Sequence, residues 1–333
     1  MGSRTYKRGA KYMDRPADGS GWYEGDGADP AWTAPESIRL DYLAPPADLQ
    51  PYITTFYLFR CDEPLIRDVQ PAAVGQLQIY LRGSGRMLYP HGRTDRSFPE
   101  TIQGPTTIAA PFEVDGPFHA FGAALSALGW AALTGIPADR ATDRLFDMGT
   151  VLGVAARELG RECRARYDAD PGMDGTDFVG LAAEFLRPRL RPVPAGHAEL
   201  MRRIPLWLGT GFNPSPQALY DMVDYSPRQV QRLVARYYGS SPSHLVRAYR
   251  ATRVVALLSQ PGVTDDQVAA LTNEFYDQSH MIREIRAFAG RTPARLLAED
   301  DSILRQLLDV RNFREIKPNV APMPPLETEG DGA

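Results

Sequence analysis

Two short stretches carry polar side chains whose types and spacing suit one kind of chemistry. In "SPRQVQRLVARYY" Arg228, Gln231 and Arg232 recur at helical spacing, and in "DQSHMIREIRAFA" so do Gln278, Ser279, Arg283 and Arg286. At about 100° per residue, Arg228, Gln231, Arg232 and Ala235 share one side of a helix, and Val230, Leu233, Val234 and Tyr237 the other. The second stretch sets Met281, Ile285 and Phe288 in an apolar stripe, while Ser279, Ile282, Arg283 and Arg286 point elsewhere and Gln278 sits in the first turn. Glutamine amides and guanidinium groups bond bidentately to adenine and guanine edges, each good pair contributing about 1 to 3 kcal/mol of discrimination. Base-edge recognition is the chemistry expected of these faces.

From Ser226 through Val263 the chain has six arginines and no Asp or Glu. A solvated helix surface mixes signs, so this one-sided stretch resembles a phosphate-facing surface inside an acidic protein. The competing reading is an ordinary solvated face, since the chain uses Arg almost to the exclusion of Lys. The phosphate contacts expected are Arg236, Arg247, Arg250, Arg253 and Arg286, together with the helix starts at Ser226 and Asp277, where free backbone amides favour an anion.

The elements that must position these side chains are legible from their caps. Ser226, Pro227 and Gln229 supply a capping hydroxyl, a first-turn proline and a reciprocal amide. Just upstream, "NPSPQALYDMVDY" has its own start signal, and two short helices joined so tightly predict a helix-turn-helix. The plan recurs about fifty residues later in "VTDDQVAALTNEFYDQSHMIREIRAFAG", with Thr264 and Gln267 as a capping box and Asp277 capping the second helix. Between the units "PSHLVRAYRATRVVALLS" reads as one long connecting helix with Leu245, Tyr249 and Thr252 along a face.

The first half reads differently. Between Ser37 and about Ser126, apolar runs such as "YITTFYLF", "QLQIYLRG" and "FHAFGAALS" alternate with Gly, Pro and Asp, as short strands do. From Leu128 the spacing turns helical, up to "RPRLRPVPAGH", where the boundary falls. The expected organisation is a flexible tail over 1–36, a β-rich domain with a helical end over 37–190, a helical domain over 196–300, an extra helix over 301–316 and a second flexible tail over 317–333. Apolar residues make up 43% of the 333, enough for a core in each domain.

Composition bounds the alternatives. A net charge of −4 argues against a uniformly basic coat but leaves room for a local basic patch. Cys61 and Cys163 lack CxxC spacing, which suggests neither a disulfide framework nor a zinc site and fits a reducing cytoplasm. No run approaches the roughly 18 apolar residues of a membrane span. The five histidines, His91, His119, His197, His244 and His280, show no metal-ligand spacing, so neither a metal nor another cofactor is expected. His119 reads as a satisfied strand residue, His280 as a structural one, and Cys61 as buried and inert. Ser84 in "RGSGRM" reads as a hairpin turn, not a nucleophile. Phe56, Tyr57, Phe59, Phe118, Phe121 and Trp130 could line a pocket, but core packing explains them as well.

Two helix-turn-helix units joined by a long helix, the second closed by "FYDQSHMIREIRAFAGRTPARLL", resemble the AraC/XylS transcriptional regulators over roughly 197–298. The resemblance carries base reading to Arg228, Gln231, Arg232, Gln278, Ser279, Ile282 and Arg283. Where that family has Gly before the Phe of the second turn, this chain has "TNEF", with Asn273 and Glu274 and one extra residue; Asn tolerates the left-handed conformation such a turn needs. The earlier part is similar, through "PPADLQPYITTFYLF", "QLQIYLRG" and "GWAALTGIPADRATDRLFDM", to the sensor-like domain preceding such regions. That implies an α+β protein: a β-rich, cupin-like domain with following helices, then an all-α domain. The expected partners are an operator in double-stranded DNA, a small-molecule effector, RNA polymerase for an activator, and a second copy in a homodimer, with no membrane. No catalytic residue is expected. Two other readings stay open: a cupin-like enzyme with an ancillary DNA-binding region, and an interaction module that has lost DNA affinity.

Overall fold

The computed structural model describes residues 33–258, 264, 271, 274, 275 and 277–293. The two expected tails and the extra helix over 301–316 lie outside the described residues, as does most of the first helix of the second unit.

Eight antiparallel strands build the first half: β1 (Ile38–Leu43), β2 (Ile53–Cys61), β3 (Leu65–Gln70), β4 (Gln76–Leu88), β5 (Thr94–Arg96), β6 (Glu100–Gln103), β7 (Ala110–Leu125) and β8 (Leu145–Asp147). They pair in the order β1-β2-β7-β4-β6-β8, with β3 also on β7 and β5 on β4. Alternation along each strand gives the sheet two faces. One carries Phe56, Leu58, Leu77, Ile79 and Phe121 against the helices that follow. The other carries Ile38, Phe59, Cys61, Ile66, Phe118 and Ala120.

Ser84 corrects one expectation. The stretch "RGSGRM" is no hairpin turn, because β4 runs through it and pairs Ser84 with Asp115. The glycines serve irregularities in the ladder: Gly83 has φ +76°, and a Cβ there would lie 2.6 Å from the Asp115 carbonyl oxygen.

The helical end comprises α1 (Ala127–Thr134), α2 (Met148–Leu152), α3 (Ala155–Ala169) and α4 (Thr176–Leu186). α3 and α4 lay Cys163, Tyr167, Phe178 and Ala182 on the sheet. His119 is satisfied as expected: Nε2 donates to the Asp62 carboxylate at 3.0 Å and Nδ1 accepts from the Tyr167 hydroxyl at 2.8 Å. Burial above all holds the His119 pKa below the ordinary histidine value, which favours the neutral ring with its proton on Nε2. Phe56 and Phe121 stack at 5.6 Å in the core between sheet and helices. Cys61 is buried, and burial raises its thiol pKa.

The second half contains α5 (Ala195–Leu208), α6 (Pro216–Asp221), α7 (Pro227–Tyr238), α8 (Pro242–Leu258) and α9 (Gln278–Ala289). Trp207, Leu219, Val230, Leu233, Val234 and Leu245 form one core. Val254, Leu258, Phe275, Met281 and Ile285 form another around α8 and α9.

Candidate nucleic-acid interface

The caps read from the sequence at Ser226 and Asp277 start their helices, while the capping box of Thr264 and Gln267 reaches outside the described residues. Ser226 and Gln229 form the reciprocal capping box of α7, with Pro227 in the first turn, and Gly239 closes the helix at φ 77°. Ser215 accepts from the Ala218 amide at the start of α6. Asp277 accepts from the His280 amide at 2.7 Å to start α9, and Gly290 ends it at φ 73°.

On α7 the apolar face holds Val230, Leu233, Val234 and Tyr237 in the core. Arg228, Gln231, Arg232 and Arg236 are left exposed along the other, beside Ser226 at the start. Gln231 Nε2 donates to the Tyr220 hydroxyl of α6 at 3.1 Å, which ties its amide to the preceding helix. On α9, Met281, Ile285 and Phe288 are buried, Asp277, Gln278, Ser279 and Arg283 are exposed, and Ile282 and Arg286 are partly exposed. Each helix thus offers the polar residues of its first turns.

The connecting helix corrects the charge argument. Arg250 and Arg253 are 6% and 1% exposed, too buried in this fold to meet a phosphate. Arg250 forms a two-pronged pair with Glu284 of α9, from Nε and Nη2 at 2.7 Å each. Arg253 donates to the backbone carbonyls of Leu208 and Gly211. Arg247 keeps an exposed guanidinium but also donates to Glu284, at 3.0 Å. The buried residues of α8 include Leu245, Val246, Arg250, Arg253 and Val254, and along the stripe of Leu245, Tyr249 and Thr252 the last two are partly buried.

Glu284 is the residue that sequence reasoning passed over. It is completely buried and holds two arginines, so the inward face of α9 is bolted to α8 by charge. The signal was present, because Glu284 falls next to Met281, Ile285 and Phe288 on the inward side of the wheel. His280 answers its expectation in part: its amide takes the Asp277 cap, while its Nδ1 is buried without a partner among the described residues.

The C-terminal ends of both helices meet the first half of the chain. Ala72 and Ala109 donate backbone N–H bonds of 2.8 Å to the carbonyls of Phe288 and Ala287, at the end of α9. Arg291, just beyond, forms a buried ion pair with Asp68 of β3. His244, at the start of α8, donates from Nε2 to the Thr107 carbonyl at 2.8 Å. Gly239, at the end of α7, lies so close to Thr142 that a Cβ would stand 2.3 Å from its methyl carbon. The first half therefore grips α7 and α9 where they end and leaves their first turns outward.

Among the described residues no group of three or more His, Cys, Asp or Glu is placed to hold a metal ion. Among the same residues no helix is long and apolar enough to cross a membrane.

Residues 219–299 match the family model described as a helix-turn-helix domain. No curated protein matches the chain. Among solved structures, ToxT from Vibrio cholerae O395 is similar at 9% identity and a TM-score of 0.40, over 79% of this chain and 99% of that one. An unsaturated fatty acid-bound ToxT from strain SCE256 is similar at 10% identity and a TM-score of 0.39, over 73% and 94%. The AraC-like transcriptional activator CuxR follows at 9% identity and a TM-score of 0.27, over 64% and 85%.

Proposed function

We propose that the chain is a DNA-binding transcriptional regulator of the AraC/XylS type through its helix-turn-helix domain, and that α7 and α9 read one operator together, each in its own stretch of major groove. The reading rests on one observation: both helices bury an apolar face and leave Arg and Gln exposed on their first turns, the part a recognition helix lays against base edges. Arg228, Gln231 and Arg232 read one segment. Gln278, Ser279, Ile282 and Arg283 read a second about 34 Å away, one turn of duplex. Arg236, Arg247 and Arg286, with the amides at the Ser226 and Asp277 helix starts, hold phosphates.

Regulation enters through the first half. Its grip on the ends of α7 and α9 couples the spacing of the two recognition helices to its own state, so an effector or a second copy bound there shifts the population able to span both segments. Duplex DNA as partner sets the cytoplasm as the place of action. The test is a titration of the full chain against duplex DNA at two salt concentrations, with random duplex as competitor. Affinity should fall steeply with salt and resist the competitor only for a selected sequence. Binding that ignores salt would remove the proposal.

A further inference from the structure

Gln231 stands on the exposed face of α7, yet its side chain is not left to swing. Its Nε2 donates to the Tyr220 hydroxyl at 3.1 Å. Tyr220 belongs to α6, and its half-buried ring packs on the core that also holds Leu219, Val230 and Leu233. Apolar contact between the two helices therefore anchors the ring and carries its hydroxyl to the rim of that contact. The backbone on both sides is set as well, since Ser215 and Pro216 start α6 and the reciprocal capping box starts α7.

The bond changes what the amide can offer a base. A glutamine side chain has two N–H donors and an acceptor oxygen. With one hydrogen given to Tyr220, a donor and an acceptor remain, and the pair of donors is no longer available. In the major groove adenine shows the N6 donor beside the N7 acceptor, which matches one acceptor and one donor. Guanine shows two acceptors there, N7 and O6, and would set the glutamine oxygen against O6. The opposite arrangement, with the tyrosine proton given to Oε1, would free both N–H groups for guanine. Ordering also favours recognition, because a free glutamine loses rotamer freedom on meeting a base, whereas this one is already restrained in the folded chain.

We propose that Tyr220 is a positioning residue that makes α7 select adenine at the base pair under Gln231. This inference rests on the reading of α7 as a recognition helix and goes beyond it by naming the base and the residue that sets the choice.

The test uses the full chain and duplexes that differ at single base pairs. The pair read by Gln231 is the one whose preference disappears in Gln231→Ala. There the unaltered chain should prefer adenine to guanine by at least about fivefold. Tyr220→Phe keeps the packed ring and removes the hydroxyl, so it should narrow that preference about two- to tenfold, the range of one neutral hydrogen bond. The pairs that depend on Arg232 and the affinity for random duplex should stay as they were, which a general loosening of α6 would not allow. In a Gln231→Ala chain the same substitution should change nothing. Preference for guanine under Gln231, an unmoved ratio in Tyr220→Phe, or equal weakening at every base pair would overturn the assignment. A measurement without DNA separates this role from DNA reading itself: Tyr220→Phe should shift the Gln231 side-chain amide in the 15N spectrum of the free chain. An unmoved resonance would overturn the positioning role alone. A shifted resonance in a chain without base preference at any pair would instead sink the reading of α7, and the adenine choice with it.

Discussion

Arg232 and Arg283 stand exposed on the first turns of α7 and α9, with the reach to pair with a guanine edge. Replacing either with Ala should weaken the cognate duplex by about 1 to 3 kcal/mol and random duplex far less. Equal losses on both duplexes, measured by competition titration, would reassign these residues to phosphates. At this scale the sequence was most legible where a side chain faces solvent. Arg228, Gln231, Arg232, Ser279 and Arg283 were placed outward by period and are exposed, as is Gln278 of the first turn, while Ile282 and Arg286, placed on the same side, are partly exposed. Legibility failed where a charge turns inward. Arg250 and Arg253 look like the other arginines in the string, and their burial depends on Glu284 and on carbonyls near residue 210, partners distant in sequence.

Among elements, the caps at Ser215, Ser226 and Asp277 fixed the starts of α6, α7 and α9 because capping is local. The strands were legible as apolar runs, but the passage of β4 through "RGSGRM" was not. Two glycines there suggest a turn until the pairing with β7 is known. The bolt between α8 and α9 gives a prediction of its own. Glu284→Met strands Arg250 in the core without a counter-charge and should cost about 3 to 5 kcal/mol of stability, whereas adding Arg250→Met should recover most of it. Thermal unfolding of the single and double variants checks this. A double variant no more stable than the single one would mean that the pair matters for shape and not for charge balance.

Across the whole molecule, the seam between the two halves is held by the Asp68–Arg291 pair, the Ala72 and Ala109 amides and His244. Asp68→Asn removes the buried ion pair with Arg291, so exchange of the Ala72 and Ala109 amides should accelerate. Unchanged exchange would mean the ion pair is no part of the grip. Acid should loosen the seam as well. Burial first of all, with Arg247 adding, lowers the His244 pKa below the usual histidine value, against the Thr107 hydrogen bond and the charges of Asp143 and Glu284. The unfolded or opened chain therefore takes up this proton more readily. The contribution of His244 is intact above about pH 6.5 and declines as pH falls below it. Exchange at the seam should follow, and a His244→Gln variant should lose that pH dependence.

The central claim is that two helices of one chain read one operator, and selection from a random duplex pool by the full chain tests it directly. Sequencing of the bound fraction should return two short patterns about one helical turn apart. Arg232→Ala should blur one pattern and Arg283→Ala the other. A single pattern untouched by one of the two substitutions, or no enriched pattern at all, would contradict it.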